Sequence, residues 1–397
     1  MLLAANDVSL GVFALAYVLM ESARDLKSLS DAFFVIATSV SVSSRIFLLT
    51  GQKDLMQELV TLLMKARKSF PESVPGIRDR YQKLAIIMFR IWQVLPMFPL
   101  TLWVLEPVLL VKFSTREANV TAESLRNTPL PIWVPIDIHR SPNYEITYAL
   151  QATSLILAIG FNGFFDIIYV VFMVHITAEL DVLNQNISRM KTGGEENAAD
   201  SRGQYNTRVK LESDFKSAMV PVQFRQHLSS FPGDLGEEDR MYFILVENIK
   251  HHQLILVYIK KLEELMRTSI FIILLSNALS ICLHVLGLAV MLQEGVDLPS
   301  VLKMLITFPA YSCETGLYCM FGQAIIDQSE RLVDSAFNCD WINMGPRFRR
   351  SLTIFMLQAS QPLNVKVGKR VILSRHTFLR LLNGSYSLFN MLHGVQK

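Results

Sequence analysis

Apolar residues come in long runs separated by short charged segments, and the run lengths predict membrane spans. A bilayer core needs about 20 mostly apolar residues in a helix. Candidate runs cover about Val8 to Met20, which is short, Ala32 to Leu49 with Arg45 near its end, and Leu84 to about Leu105. Further runs cover Tyr144 to about Ile176, Thr268 to Leu292, and about Ser300 to Ile326. Near the C-terminus, Leu352, Phe355, Met356 and Ala359 fall at helical i, i+3, i+4, i+7 spacing and predict a helix over Arg347 to Ser360. At roughly 21 Å such a helix cannot cross, and Arg347, Arg349 and Arg350 keep its start wet. Pro362 ends it. A second helix, about Val371 to His393, is long enough to cross. The pattern therefore predicts an all-α membrane protein with seven transmembrane helices, the last preceded by a half-helix outside the bilayer. Val8 to Met20 is read as a span rather than a secretory leader, because Asn6 and Asp7 precede it where a leader carries basic residues.

Lys and Arg in short loops set orientation. The segments after the second and sixth spans carry Lys53, Lys65, Arg67, Lys68, Arg78, Arg80, Lys83, Arg331, Arg347, Arg349, Arg350, Lys366, Lys369 and Arg370. The opposite loops carry Arg24, Lys27, Lys112, Arg116, Arg126 and Arg140. The heavier side is expected to be cytoplasmic, so the N-terminus is cytoplasmic and the C-terminus extracellular. That is the reverse of a G-protein-coupled receptor. Asp79-Arg80-Tyr81 spells a triplet of those receptors, but it precedes the third span instead of following it, and is read as a solvated loop. The sequon Asn119-Val120-Thr121 falls in an expected outer loop; Asn186-Ile187-Ser188 and Asn383-Gly384-Ser385 do not.

Several helices run past the bilayer with an apolar stripe. Span four continues through Leu180, Leu183 and Ile187, and span six through Ile326, Leu332, Val333, Ala336 and Phe337. Met241 to Met266 is periodic and densely charged. Such stripes can be buried only against each other or against a neighbouring subunit. The expectation is one domain over 1–397, with cytosolic helical extensions at about 177–190, 241–267, 327–343 and 347–360 forming an anchor bundle. Lys191 to about Asn206 is small and polar and reads as an insertion without fixed structure.

Composition sharpens the class. Hydrophobic residues make up 51% of the 397 and charged residues 18%, against about 25% charged in soluble domains. With a mean hydropathy of +0.32, this excludes a disordered chain and a nucleic-acid arm and argues against a soluble enzyme. The net charge of +3 is too small to select a polyanionic partner. The four cysteines are too few for a disulfide scaffold. No nucleophile elbow, phosphate loop or zinc signature occurs. His251 and His252 point about 100° apart on a helix, cannot share a metal from that helix, and are read as structural. No enzyme, cofactor or metal is expected.

Two patterns carry candidate function. On the last span His376, Arg380, Asn383, Ser387, Asn390 and Gly394 step by four and three along one face. A polar stripe in hydrocarbon is costly unless it meets water or partners. It either lines an aqueous pore at a subunit axis or packs on other helices. Glu314 and Asp166 are intramembrane acids, either site residues or internal pairs. Aromatic residues and helix breaks cluster in the outer halves of four spans. They are Phe34 and Thr38, then Pro96, Phe98 and Trp103, then Tyr148 and Gln151, then Thr307, Phe308 and Tyr311. An apolar pocket with a few hydroxyls suits a small, weakly polar organic ligand, though ordinary packing uses the same residues.

An ordered series runs through the C-terminal third: Tyr318-Cys319-x-x-Gly322, Ser329, Ala336-Phe337, Asp340-Trp341, Arg349-Arg350-Ser351-Leu352, Ser360-Gln361-Pro362, Ser374-x-x-Thr377-Phe378 and Tyr386-Ser387-x-Phe389. With Trp133-x-Pro135-x-Asp137 and His251-His252-Gln253, it resembles the insect odorant receptor family over nearly the whole chain. The match is to an odour-tuned subunit, since the longer cytosolic insertion of the co-receptor is absent. The resemblance implies an odour-gated, non-selective cation channel, assembled as a hetero-tetramer with a shared odorant co-receptor. It implies a small volatile organic ligand and a multi-pass place among the membrane lipids of olfactory sensory neurons, with no nucleic-acid partner. The split seventh helix would line the pore through Asn383, Ser387, Asn390 and Gly394. The odour pocket would lie among the outer residues named above. Relatives begin with a cytosolic segment, so a truncated N-terminus is expected here; Glu314 stands where relatives commonly carry Gln. The alternative is a metabotropic seven-helix receptor coupled to G proteins, which requires an outside N-terminus.

Overall fold

The computed structural model describes residues 2–20, 26–117, 127–133, 135, 137, 140–190, 236–294 and 298–395. The described helices are α1 (Leu2–Met20), α2 (Leu26–Gly51), α3 (Lys53–Ser69), α4 (Ile77–Val94), α5 (Met97–Glu117), α6 (Asn143–Ser188), α7 (Glu237–Glu294), α8 (Leu298–Phe337), α9 (Pro346–Ala359) and α10 (Arg375–Val395). A two-stranded antiparallel hairpin, β1 (Lys366–Val367) and β2 (Val371–Ile372), stands between α9 and α10. The insertion expected at 191–206 and the sequon at Asn119 lie outside the described residues.

Among the described residues, four helical stretches are long and apolar enough to cross a bilayer: Asp31–Gly51, Ile77–Leu109, Asn143–Ser188 and Glu237–Val285. Asp7–Met20 is a shorter apolar helix. α8, whose apolar run includes Lys303 and Glu314, and α10, with its polar edge, are not among these four stretches.

The third expected span is interrupted. α4 stops at Val94, Leu95 and Pro96 form a turn, and α5 begins at Met97. Pro96 has no N–H and its ring meets the preceding turn, which breaks an otherwise continuous apolar helix. α4 also starts earlier than the apolar run, at Ile77, where Glu72 accepts from the backbone N–H groups of Gly76, Ile77 and Arg78 at 2.9, 3.1 and 3.1 Å. A carboxylate there satisfies orphan donors and complements the helix dipole. Asp79-Arg80-Tyr81 therefore lies on a helix rather than in a loop, with Arg80 paired to Asp181 at 2.9 Å. The last helix begins at Arg375, not Val371, because Val371–Ile372 pairs with Lys366–Val367 across a turn that needs positive φ at Gly368 and Lys369.

The helices expected to run past the bilayer pack together at one end, termed the anchor below, with their stripes buried against each other. Leu180, Leu183 and Ile187 of α6, Leu332 and Ala336 of α8, and Phe348, Leu352, Phe355 and Ala359 of α9 share one core with Leu245, Ile259 and Leu262 of α7. Phe337, expected in the stripe, is exposed. α3, which lies where the charge pattern predicts a basic loop, joins this core through Leu59, with Leu55, Met56, Leu62 and Leu63 packed against it. Met241 to Met266 and span five are one helix, α7.

Polar residues lock the anchor. Glu179 accepts from Arg78 Nε and Nη2 at 2.8 and 2.6 Å and faces His251 Nε2 at 3.1 Å. Phe70 stacks on His251 with ring centroids 4.4 Å apart, and His252 meets Phe355 edge-on. The two histidines are thus structural, as expected. Asn186 is held by Pro71 O and Ser73 N, so its sequon belongs to packing. Burial alone would raise Glu179, but hydrogen bonds from His251 and Arg78 outweigh it and hold the carboxyl below its usual range. Burial pushes His251 down, and His252 from 6.5 to about 4, with the charge of His251 adding to the fall.

The folded state therefore binds fewer protons than the unfolded chain, and this stability is present above pH 6.5 and lost as pH falls toward 4. Between pH 7 and pH 5 the solubilised protein is expected to lose about 2 kcal/mol through His252. His252→Leu should flatten that part of a melting-temperature profile; an unchanged profile would remove His252 as its source.

Candidate functional site

The outer cluster is built where α2, α5, α6, α7 and α8 converge away from the anchor. Phe34 and Trp103 stack with centroids 4.3 Å apart, and Tyr311 meets Phe34 edge-on at 5.9 Å. His284 of α7 closes the ring set at 5.5 Å from Tyr311, a residue the sequence reading did not place there. Trp103 Nε1 donates to Thr307 Oγ1 at 3.1 Å. Tyr148 donates to the carbonyl of Val104, and Gln151 Oε1 accepts from Leu130 N at 2.9 Å, fastening the 127–133 segment over the cluster. Thr38 and Phe308 are half-buried on α2 and α8, and Pro96 sits half-buried at the α4–α5 break. Phe98 is exposed and faces away. A cavity of about 160 Å³ lies elsewhere, between α4, α6 and α8, bordered by Tyr81, Thr177, Phe321, Asp327 and Arg331.

Beside the rings lies a buried ion cluster that the sequence reading missed. Lys303 Nζ contacts Asp31 Oδ2 at 2.5 Å and Glu106 Oε2 at 2.6 Å, and stands 4.3 Å from the Trp103 ring centre. A lysine 2% exposed inside an apolar helix was the available signal, because such a charge requires partners on neighbouring helices.

A second ion cluster lies between the rings and the anchor. Arg45, fully buried, reaches Asp166 Oδ1 at 2.7 Å and Glu314 Oε1 at 2.8 Å, and donates to the Asn162 carbonyl at 3.0 Å. Tyr318 Oη and Trp92 Nε1 donate to Asp166 at 2.6 and 3.1 Å, and Asn277 donates to Glu314 at 3.1 Å. The two intramembrane acids are therefore an internal set with one shared arginine, tying α2, α4, α6, α7 and α8 at one level.

The polar stripe of α10 points off the subunit. His376, Arg380, Asn383, Ser387 and Asn390 are all exposed, and Gly394 lies in the last turn of the helix. The opposite face is held: Ser385 donates to Ala278 O of α7 at 3.3 Å, and the Phe378 ring lies 3.5 Å from where a Cβ on Gly316 would stand. Among the described residues no cluster of His, Cys, Asp or Glu could hold a metal.

The described residues form a helical bundle with long apolar stretches, a ring-lined cluster at one end and an exposed polar edge on α10. Known proteins share this sequence pattern and fold. The sequence profile described as 7tm Odorant receptor matches residues 25–386. Odorant receptor Or1 of Anopheles gambiae is 19% identical over 397 residues, covering 98% of this chain and 86% of its own length. Odorant receptor 19a of Drosophila melanogaster is 28% identical over 158 residues, 40% of each chain. The olfactory receptor OR5 from Machilis hrabei, solved in complex with eugenol, superposes with a TM-score of 0.72 at 14% identity, covering 99% of this chain and 88% of that one. These relatives are receptors of olfaction, not enzymes. The chain belongs to the 7tm odorant receptor family.

Proposed function

We propose that this chain is the odour-tuned subunit of an odour-gated, non-selective cation channel in the membrane of olfactory sensory neurons. It crosses the bilayer seven times, with the N-terminus and the anchor bundle in the cytosol and the C-terminus outside. It assembles with a shared co-receptor as a hetero-tetramer. The observation that carries this reading is the exposed edge of α10. Five polar side chains at helical spacing face away from the subunit that holds the helix, and in hydrocarbon they need water. A symmetry axis supplies it. Exposed Ile342, Ile354 and Leu357 on the anchor fit burial against neighbouring subunits.

The ligand site in this reading is the outer cluster of Phe34, Thr38, Pro96, Trp103, Tyr148, Gln151, Thr307, Phe308 and Tyr311. A relative of like fold was solved with eugenol, a small phenolic volatile. A ligand preferring one state shifts the closed–open balance by its differential affinity, and α8 links the site to the root of α10.

Cells expressing this chain with the co-receptor are expected to pass cation current when a volatile panel is applied. Absence of current despite verified surface delivery refutes the proposal. Terminal epitope tags separate it from a metabotropic receptor, which needs an outside N-terminus. Tyr311→Ala is expected to shift half-maximal concentrations by about tenfold for part of the panel. Superimposable dose–response curves would take Tyr311 out of the site.

A further inference from the structure

We propose that the cleft between α4 and α8 binds an anionic phospholipid of the cytosolic leaflet, with its phosphate on Arg331 and an acyl chain laid along the two helices. The choice of leaflet rests on the orientation proposed above. α4 and α8 both pack on α6 and leave between them a cavity of about 160 Å³, floored by Val174 and Thr177. All three helices change character at this level. α4 passes from Arg80 and Tyr81 to Leu84, α6 from Val174 to Asp181, and α8 from Phe321 and Ala324 to Asp327 and Arg331. The cavity thus stands on a boundary between apolar and charged surface, and basic pockets between helices at that boundary suit anionic lipid headgroups.

The charges around the cavity leave one cation over. Arg80 reaches Asp181 at 2.9 Å, and the Tyr81 hydroxyl bonds the same carboxylate. Asp327 accepts from Gln323 Nε2 at 2.8 Å and faces Arg375 at the root of α10 at 3.5 Å. Arg331 borders the cavity and makes no hydrogen bond or ion pair with any described residue. Gln328 accepts from Asn184 at 3.2 Å through Oε1, and its amide N–H groups donate to no described residue. A phosphodiester calls for one positive charge and several donors. Arg331 supplies the charge and a planar fork, and Gln328 supplies a further donor. A cationic ligand would meet no unmatched acid here. A head with several phosphates would bring more charge than one arginine answers, beside Asp181 and Asp327, so a singly charged head fits best. Toward the middle of the bilayer the apolar surface continues. Leu84, Ile87 and Ile91 share one face of α4 at i, i+3, i+7, and Met320 and Ala324 share one face of α8 at i, i+4. Leu84, Ile87, Ile91 and Met320 are exposed, a surface that an acyl chain covers and a free phosphate leaves bare.

Melting of the solubilised full-length protein decides the matter, titrated with dioctanoyl-phosphatidylglycerol, with dioctanoyl-phosphatidylcholine and with glycerol 3-phosphate. The phosphatidylglycerol is expected to raise the melting temperature at a half-maximal concentration at least about fivefold below the phosphatidylcholine, with glycerol 3-phosphate silent. Arg331→Gln is expected to bring the two lipids within about twofold of each other, while Lys250→Gln, which removes an exposed charge elsewhere on the anchor, keeps the wild-type ratio. Ala324→Phe fills the cavity with Arg331 in place and should weaken both lipids at least about fivefold. Where Arg331→Gln does not fold, Ala324→Phe and the wild-type order decide. The inference is overturned if the two lipids titrate alike in the wild type, if the ratio survives Arg331→Gln, or if Ala324→Phe binds as the wild type does. Glycerol 3-phosphate acting as strongly as the lipid would make this a site for free anions and overturn it too. Equal lipid titrations leave the proposed channel and its topology standing, since neither co-receptor nor odorant enters this test. Terminal tags that place the anchor outside refute that topology, and with it the leaflet assigned here.

Discussion

Arg45→Met is expected to remove the protein from the cell surface and to lower its stability by about 3–5 kcal/mol, the range for deleting one partner of a buried ion set. The reason is what remains. Asp166 and Glu314 would share a dry site with no cation, and the donors from Tyr318, Trp92 and Asn277 cannot supply a full charge. Arg45→Lys keeps the charge but loses the planar fork that reaches two carboxylates and the Asn162 carbonyl together, so its loss should be intermediate. Replacing all three charged residues with apolar ones of like volume is expected to recover much of the stability, because burying ions is itself expensive. Melting of the solubilised protein and surface labelling read all three. Wild-type melting in Arg45→Met would show that the cluster does not hold the bundle.

Gly322→Ala is expected to uncouple the outer site from the last helix. A Cβ at Gly322 would collide with Leu373 O and stand 2.5 Å from Leu373 Cβ, closer than any real contact. Leu373 is fully buried, its N–H donates to Val365 O at 3.0 Å, and Arg375 N donates to Gln323 Oε1 at 3.2 Å. The methyl group cannot be absorbed by a side-chain turn, so the root of α10 must move off α8. Overpacking of this kind costs about 1–3 kcal/mol. Ligand-evoked current should fall by at least about fivefold, while ligand-dependent quenching of tryptophan fluorescence keeps its midpoint. Gly316→Ala is the control, since its nearest neighbour, the Phe378 ring, is at an ordinary 3.5 Å. Equal currents in Gly322→Ala and wild type would mean that this close approach does not transmit the ligand signal.

The helical elements were legible because their burial is periodic. Leu352, Phe355 and Ala359 announce α9 by spacing alone, and the same residues form its buried face. The α10 stripe was equally legible, since a polar face within an apolar helix has few explanations. α3 was hidden by its charge: Lys53, Lys65, Arg67 and Lys68 made it read as a loop, although Leu59 and Ala66 share one face at i, i+7 and are buried. The hairpin before α10 was hidden because Val371–Ile372 joins smoothly to the following apolar run, and only the turn at Gly368 and Lys369 breaks it. The two ion clusters show a different limit. Arg45, Asp166 and Glu314 were each visible as misfit charges, but which charge meets which is set by helix packing across 121 and 269 positions of sequence. Lys303 was overlooked because an apolar run tolerates one lysine by composition, whereas a buried lysine does not tolerate solitude.

The most direct measurement is reactivity of a cysteine placed on the α10 edge. With the exposed native Cys313 first changed to serine, Ser387→Cys is treated with a charged, membrane-impermeant thiol reagent during ligand-evoked current. If this edge borders the ion path, current is blocked irreversibly, and faster with ligand than without it; Met320→Cys, on the outward face of α8, stays inert. Full current after reagent at position 387 would place the edge away from ion-conducting water and contradict the account.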